Sequence, residues 1–157
     1  MARYRVPNEF DVKNILSVLF DGSEVKEGGD VDVDTAGSFL GLYIDDEDQP
    51  VTACVCDINF AAFSACSLTL LPPPLANDSV KSGKLEDNMV ANLGEVFNIL
   101  SRLFMTNDTD HLRFKTTHPV SEVPDDLVEK FRNASKKVSF GVNIPRYGEG
   151  TFSMLVA

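Results

Sequence analysis

The stretch LEDNMVANLGEVFNILSRLFM, Leu85 to Met105, decides how the rest of the chain is read. With Glu95 set at zero and about 100° added per residue, Met89, Leu93, Val96, Phe97, Leu100, Leu103 and Phe104 fall between about 80° and 200°. Apolar side chains confined to one stripe predict an amphipathic helix with a buried face. Asn88, Ala91, Glu95, Asn98 and Arg102 lie on the opposite side. Gly94 costs about 1 kcal/mol against alanine in a helix, so it is expected to allow close approach of a neighbouring backbone.

Shorter elements flank this helix. Asn8 to Phe20 reads as a helix capped by Asn8, with Phe10, Ile15, Leu16, Leu19 and Phe20 roughly on one face. Val25 to Asp34 suggests one short strand or two. Phe39 to Ile44 and Val51 to Asp57 read as strands around the acidic turn Asp45-Asp46-Glu47-Asp48-Gln49-Pro50, which reads as a solvated hairpin tip. Asn59 to Ser67 is ambiguous between a helical turn and a strand start, whereas Ser67 to Leu71 looks like strand. Leu75 to Lys81 reads as a short helix after Pro72-Pro73-Pro74. His111 to Thr117 alternates like a strand with one wet face, and Asp125 to Ser135 reads as helix. Lys137 to Pro145 and Thr151 to Val156 read as a hairpin around Arg146-Tyr147-Gly148-Glu149-Gly150. Together these predict an α+β fold: a largely antiparallel sheet covered by a long central helix and shorter helices.

Composition narrows the function. The chain has 157 residues, of which 43% are apolar, enough for one core and a single domain over residues 1–157. A net charge of -10 repels nucleic-acid phosphates and anionic membranes alike. Lys130, Arg132, Lys136 and Lys137 form a short basic segment that reads as a solvated helix end. No run approaches the roughly 20 apolar residues of a membrane span, and MARYRVPNEF lacks an apolar signal core, so a cytoplasmic location is expected. Cys54 and Cys56 share one strand face and read, with Cys66, as small buried apolar groups rather than a disulfide framework. His111 and His118 stand apart from other metal ligands. No phosphate loop or nucleophile elbow is present, and no cofactor or metal is expected.

Glu95-Val96-Phe97-Asn98 is the stretch to weigh as a candidate site. Residues three apart on a helix are neighbours, so both polar groups point to the side away from the apolar stripe. A carboxylate there can grip a cation on a partner. A carboxamide donates and accepts, so it can orient a water for attack on a phosphoryl group. By itself, however, a Glu-x-x-Asn spacing arises often by chance and reads first as a solvated helix face.

The setting Leu93-Gly94-Glu95 followed by Asn98-Ile99-Leu100, within Asp87 to Leu100, resembles the long helix of the CheC/CheX/FliY chemotaxis phosphatases. The resemblance is specific over about 20 residues and topological elsewhere. It implies an α+β domain that removes the phosphoryl group from the response regulator CheY. Glu95 would pair with a lysine of the regulator, Asn98 would position the hydrolytic water, and magnesium would belong to the regulator. The chain has one such helix where CheC-type members usually have two, so it is closer to CheX, which works as a homodimer. Small residues usual after the helix are replaced by Ser101-Arg102-Leu103-Phe104, and Arg102 is placed to pair with Asn98 and obstruct docking. A non-catalytic member of the fold, binding a signalling or flagellar-motor protein through this helix, fits nearly as well.

Overall fold

The computed structural model describes residues 4–157; the first three residues of the MARYRVPNEF stretch lie outside them. Six strands form one sheet in the order β1-β5-β6-β3-β2-β4, every neighbouring pair antiparallel. The strands are β1 (Glu24–Glu27), β2 (Phe39–Ile44), β3 (Pro50–Cys56), β4 (Arg113–Pro119), β5 (Lys136–Ile144) and β6 (Gly148–Val156). The helices are α1 (Glu9–Leu19), α2 (Ile58–Leu68), α3 (Pro73–Ser82), α4 (Asp87–Leu100) and α5 (Asp125–Arg132). The α+β expectation therefore holds, and the antiparallel sheet is covered by helices.

The sheet is buried on both faces in its middle. Phe39, Tyr43, Cys54 and Cys56 join the core beneath α1, α2 and α4. Leu40, Leu42, Ile44, Ala53 and Val55 join a second core with Phe131 of α5. That alternation puts apolar residues at every position of β2, so the strand reads as a continuous apolar run. Val31 and Val33, expected in a strand, lie outside the strands and plug this second core. Burial pushes up the thiols of Cys54, Cys56 and Cys66, which act as small apolar side chains.

Several expected boundaries move. Phe10 is 70% exposed, while Val12 and Leu16 are buried. At about 100° per residue Phe10 lies well away from the stripe of Val12, Ile15, Leu16 and Leu19. The ambiguous segment becomes a full helix, α2, because it is apolar all round and buried between β6, α3 and α4. Ser67 to Leu71 is no strand. Thr69 caps α2, and Leu70 adopts a left-handed φ of 55°. β6 begins at Gly148 rather than Thr151, since Gly150 gives the backbone of Phe60 room to lie against the strand. Phe60 and Phe63 are core residues.

The acidic turn is more ordered than a solvated tip. Asp45 is buried, and its Oδ1 accepts from the backbone N–H of Glu47 and Gln49 at 2.9 Å each. Asp46 meets His111 at 3.1 Å and Asp48 pairs with Arg113, tying the turn to the approach of β4. The basic segment is likewise matched locally: Arg132 pairs with Asp34 and Glu129, and Lys137 with Asp30.

Candidate functional site

α4 is shorter than the 21-residue stretch Leu85 to Met105 suggests. Glu86 is its extended N-cap, and the chain tightens into a 3-10 turn over Ser101–Phe104. The apolar stripe is nonetheless buried throughout: Met89, Leu93, Val96, Phe97, Leu100, Leu103 and Phe104. Such a helix is held by its tertiary face rather than by a strong N-cap, since Glu86 makes no side-chain cap bond.

Three contacts set its position. The Tyr43 hydroxyl on β2 donates to the Phe97 carbonyl at 2.6 Å in the buried core. The Phe97 ring lies over Gly41, where a Cβ would sit 2.5 Å from the ring. Asn92 Nδ2 donates to the Ala65 carbonyl and to Thr69 Oγ1, each at 2.9 Å, and so ties α4 to the end of α2. Gly94 does not admit a backbone. Its nearest neighbours are the Phe114 ring, 3.6 Å from an added Cβ, and Thr117 Oγ1. Sequence reasoning missed Gly41, Tyr43, Asn92 and Ser101. No local pattern marks them, because their partners are far along the chain or depend on the 3-10 turn.

Glu95 and Asn98 are exposed on the outer face of α4, as the periodicity predicts. Their side chains form no hydrogen bond or ion pair with other described residues. Ser101 Oγ donates to the Asn98 carbonyl at 2.5 Å, where α-helix passes into 3-10 turn. Asn98 therefore sits on a backbone held from below by Tyr43 and from the next turn by Ser101, with its carboxamide free toward solvent. Arg102 is exposed on the next turn and is not paired with Asn98.

The face is convex. Grooves of about 540 and 980 Å³ lie elsewhere, beside the acidic turn and between α1 and β1, and neither is lined by α4. Among the described residues no group of three or more His, Cys, Asp or Glu could hold a metal. No helix among them is long and apolar enough to cross a membrane. Glu95 and Asn98 are thus presented to solvent on an exposed helix face.

No family model matches the chain, and no curated protein matches it. Solved structures do. A chain of the CheX–CheY–BeF3–Mg2+ complex from Borrelia burgdorferi is 14% identical with a TM-score of 0.55, covering 97% of this chain and 99% of its own. A chain of the FliM–SpeE complex from H. pylori is 9% identical with a TM-score of 0.58, covering 94% of this chain and 78% of its own. Thermotoga maritima FliY is 11% identical with a TM-score of 0.51, covering 92% of this chain and 81% of its own. At these identities the likeness is one of fold. The chain has the fold of CheX, FliY and FliM proteins.

Proposed function

We propose that this chain is a CheX-like domain that hydrolyses the aspartyl phosphate of a response regulator, with Glu95 and Asn98 as the residues that act. The observation that carries the reading is the pair itself: a carboxylate and a carboxamide, one turn apart, exposed and unpaired among the described residues on the outer face of α4. The fold adds to it, being similar to a chain from a complex of CheX with CheY, BeF3 and Mg2+.

In this reading Glu95 grips a lysine on the regulator and fixes the docking angle. Asn98 accepts a hydrogen bond from a water and donates one to a phosphoryl oxygen, placing the water in line with the bond to be broken. The water oxygen bonds to phosphorus. The phosphorus–oxygen bond to the aspartyl group breaks, with its electron pair leaving on the regulator's aspartate carboxylate, and the water proton passes to phosphate or solvent. The products are the free aspartate and inorganic phosphate. Magnesium, held by the regulator, spreads the charge that develops on the phosphoryl oxygens. In the same reading the chain is a single domain over residues 1–157 that works as a homodimer, and sedimentation is expected to give twice the 17.2 kDa of one chain.

The second reading is a non-catalytic domain that binds a signalling or motor protein through the same face. Similarity to a chain of the FliM–SpeE complex favours it. One experiment separates the two. Wild type and Asn98→Ala are incubated with a phosphorylated CheY regulator, and phosphate release is followed alongside binding. Hydrolysis by wild type that falls by about a hundredfold in Asn98→Ala supports catalysis. Equal inactivity with retained binding supports the second reading, and absence of binding by wild type removes the phosphatase reading and leaves only a partner other than this regulator.

A further inference from the structure

The chain carries 24 acidic against 14 basic residues, so a cation has many carboxylates to choose from. Arg5 pairs with Asp11, Arg113 with Asp48, and Arg132 with Asp34 and Glu129. Arg102, exposed beside the candidate pair, shares with Arg146 of the β5–β6 turn the lack of such a partner among the described residues, and of the two it alone lies by Glu95 and Asn98. Its place on the helix is also defined. Whether the last two steps turn by about 100° or by the about 120° of a 3-10 helix, Arg102 stays within about 20° of the Glu95 azimuth. Rises of about 1.5 and 2.0 Å per residue put it roughly 7 Å beyond Asn98 along the axis and roughly 11 Å beyond Glu95. The outer face therefore presents a carboxylate, a carboxamide and a guanidinium in one row.

We infer that Arg102 is a docking residue that binds a surface carboxylate of the response regulator beside its phosphorylated aspartate. This rests on the function proposed above. The partner's chemistry favours it: a regulator that holds Mg2+ does so through carboxylates, so its phosphorylation site is bordered by acidic side chains. A guanidinium meets a carboxylate as a two-pronged donor, which a lysine does not reproduce. The row also has polarity. Its negative end takes a lysine and its positive end a carboxylate, so only one orientation of the regulator satisfies both. Arg102 thus completes the site rather than obstructing it.

The test titrates a CheY regulator loaded with beryllium trifluoride and Mg2+ against wild type, Arg102→Ala, Arg102→Lys and Arg102→Glu, at low and high salt. Because the side chain is exposed, unchanged thermal unfolding serves as the folding control. Arg102→Ala is expected to raise Kd roughly fivefold at low salt, Arg102→Lys less, and Arg102→Glu more, with the differences shrinking as salt screens the pair. With phosphorylated regulator as substrate, KM rises in step. Equal or tighter binding by Arg102→Ala overturns the inference, and so does a loss confined to kcat, which would put the guanidinium on the phosphoryl group instead. Failure of wild type to bind the loaded regulator defeats the proposed function itself, and the inference with it.

Discussion

A methyl group added at Gly150 would run into the backbone nitrogen and Cα of Phe60, at the start of α2. Backbone cannot rotate away as a side-chain tip can. Gly150→Ala is therefore expected to destabilise the fold by about 3 kcal/mol, read as a lower urea midpoint. Gly94 is the opposite case. The nearest atom to an added Cβ there is 3.6 Å away, an ordinary contact. Gly94→Ala should stabilise by up to about 1 kcal/mol through helix propensity alone; a loss would show that the contact with Phe114 is tighter than the spacing indicates. Asp57 adds a pH dependence. Its carboxylate accepts from Phe60 N at 2.8 Å and from Thr151 N at 3.1 Å, joining α2 to β6. Burial nonetheless outweighs these bonds and raises its pKa above the ordinary carboxylate value. The folded state holds this proton more tightly than the unfolded chain does. The resulting stabilisation is full at low pH and is lost as pH rises through the raised value. Asp57→Asn keeps an accepting oxygen but no proton to lose. Its stability relative to wild type should climb as pH rises from below the ordinary carboxylate value through the raised one, and a relative decline in urea unfolding would contradict the burial argument.

Among the elements, α2 and α4 show how differently two helices can be written. α4 carries its apolar residues at helical spacing, so both its existence and the exposure of Glu95 and Asn98 were readable before any fold was known. α2 is buried from Phe60 to Cys66 and has no polar face to give it a period. Its helical state follows from confinement between β6, α3 and α4. The 3-10 turn after α4 was equally hidden, because it answers to the burial of Leu103 and Phe104 and to the bond from Ser101 to Asn98. The two helices depend on each other through Asn92. Asn92→Ala should cost about 1 kcal/mol, since it removes the donor shared by Ala65 and Thr69 at the end of α2. Tyr43→Phe tests the seat of α4. It leaves the ring contacts with Phe104 and Phe114 in place and deletes only the bond to Phe97. A loss of about 1 kcal/mol is expected, with faster amide exchange around Asn98; unchanged exchange would mean that the apolar stripe alone seats the helix.

For the whole molecule, the net charge of -10 sets a self-repulsion that salt relieves. The visible ion pairs, such as Lys137 with Asp30 and Arg132 with Asp34, sit at the surface and contribute little. Raising NaCl from about 20 to about 200 mM should therefore raise Tm modestly; a fall would mean that these pairs outweigh the repulsion. Against that charge the unpaired Arg102 is a local exception on the 3-10 turn that follows α4, and no composition count could have found it. What the sequence determined by itself is the α+β class, the buried stripe of α4 and the outward row of Glu95, Asn98 and Arg102. Each follows from periodicity, which is local and survives without knowledge of neighbours. Tertiary structure decided the rest. It made a helix of Phe60 to Cys66, closed the sheet as β1-β5-β6-β3-β2-β4, seated α4 on Tyr43 and Gly41, and left Arg102 unpaired from Asn98. Those outcomes depend on which distant surfaces meet, and burial between them overrides the weak preferences of short segments.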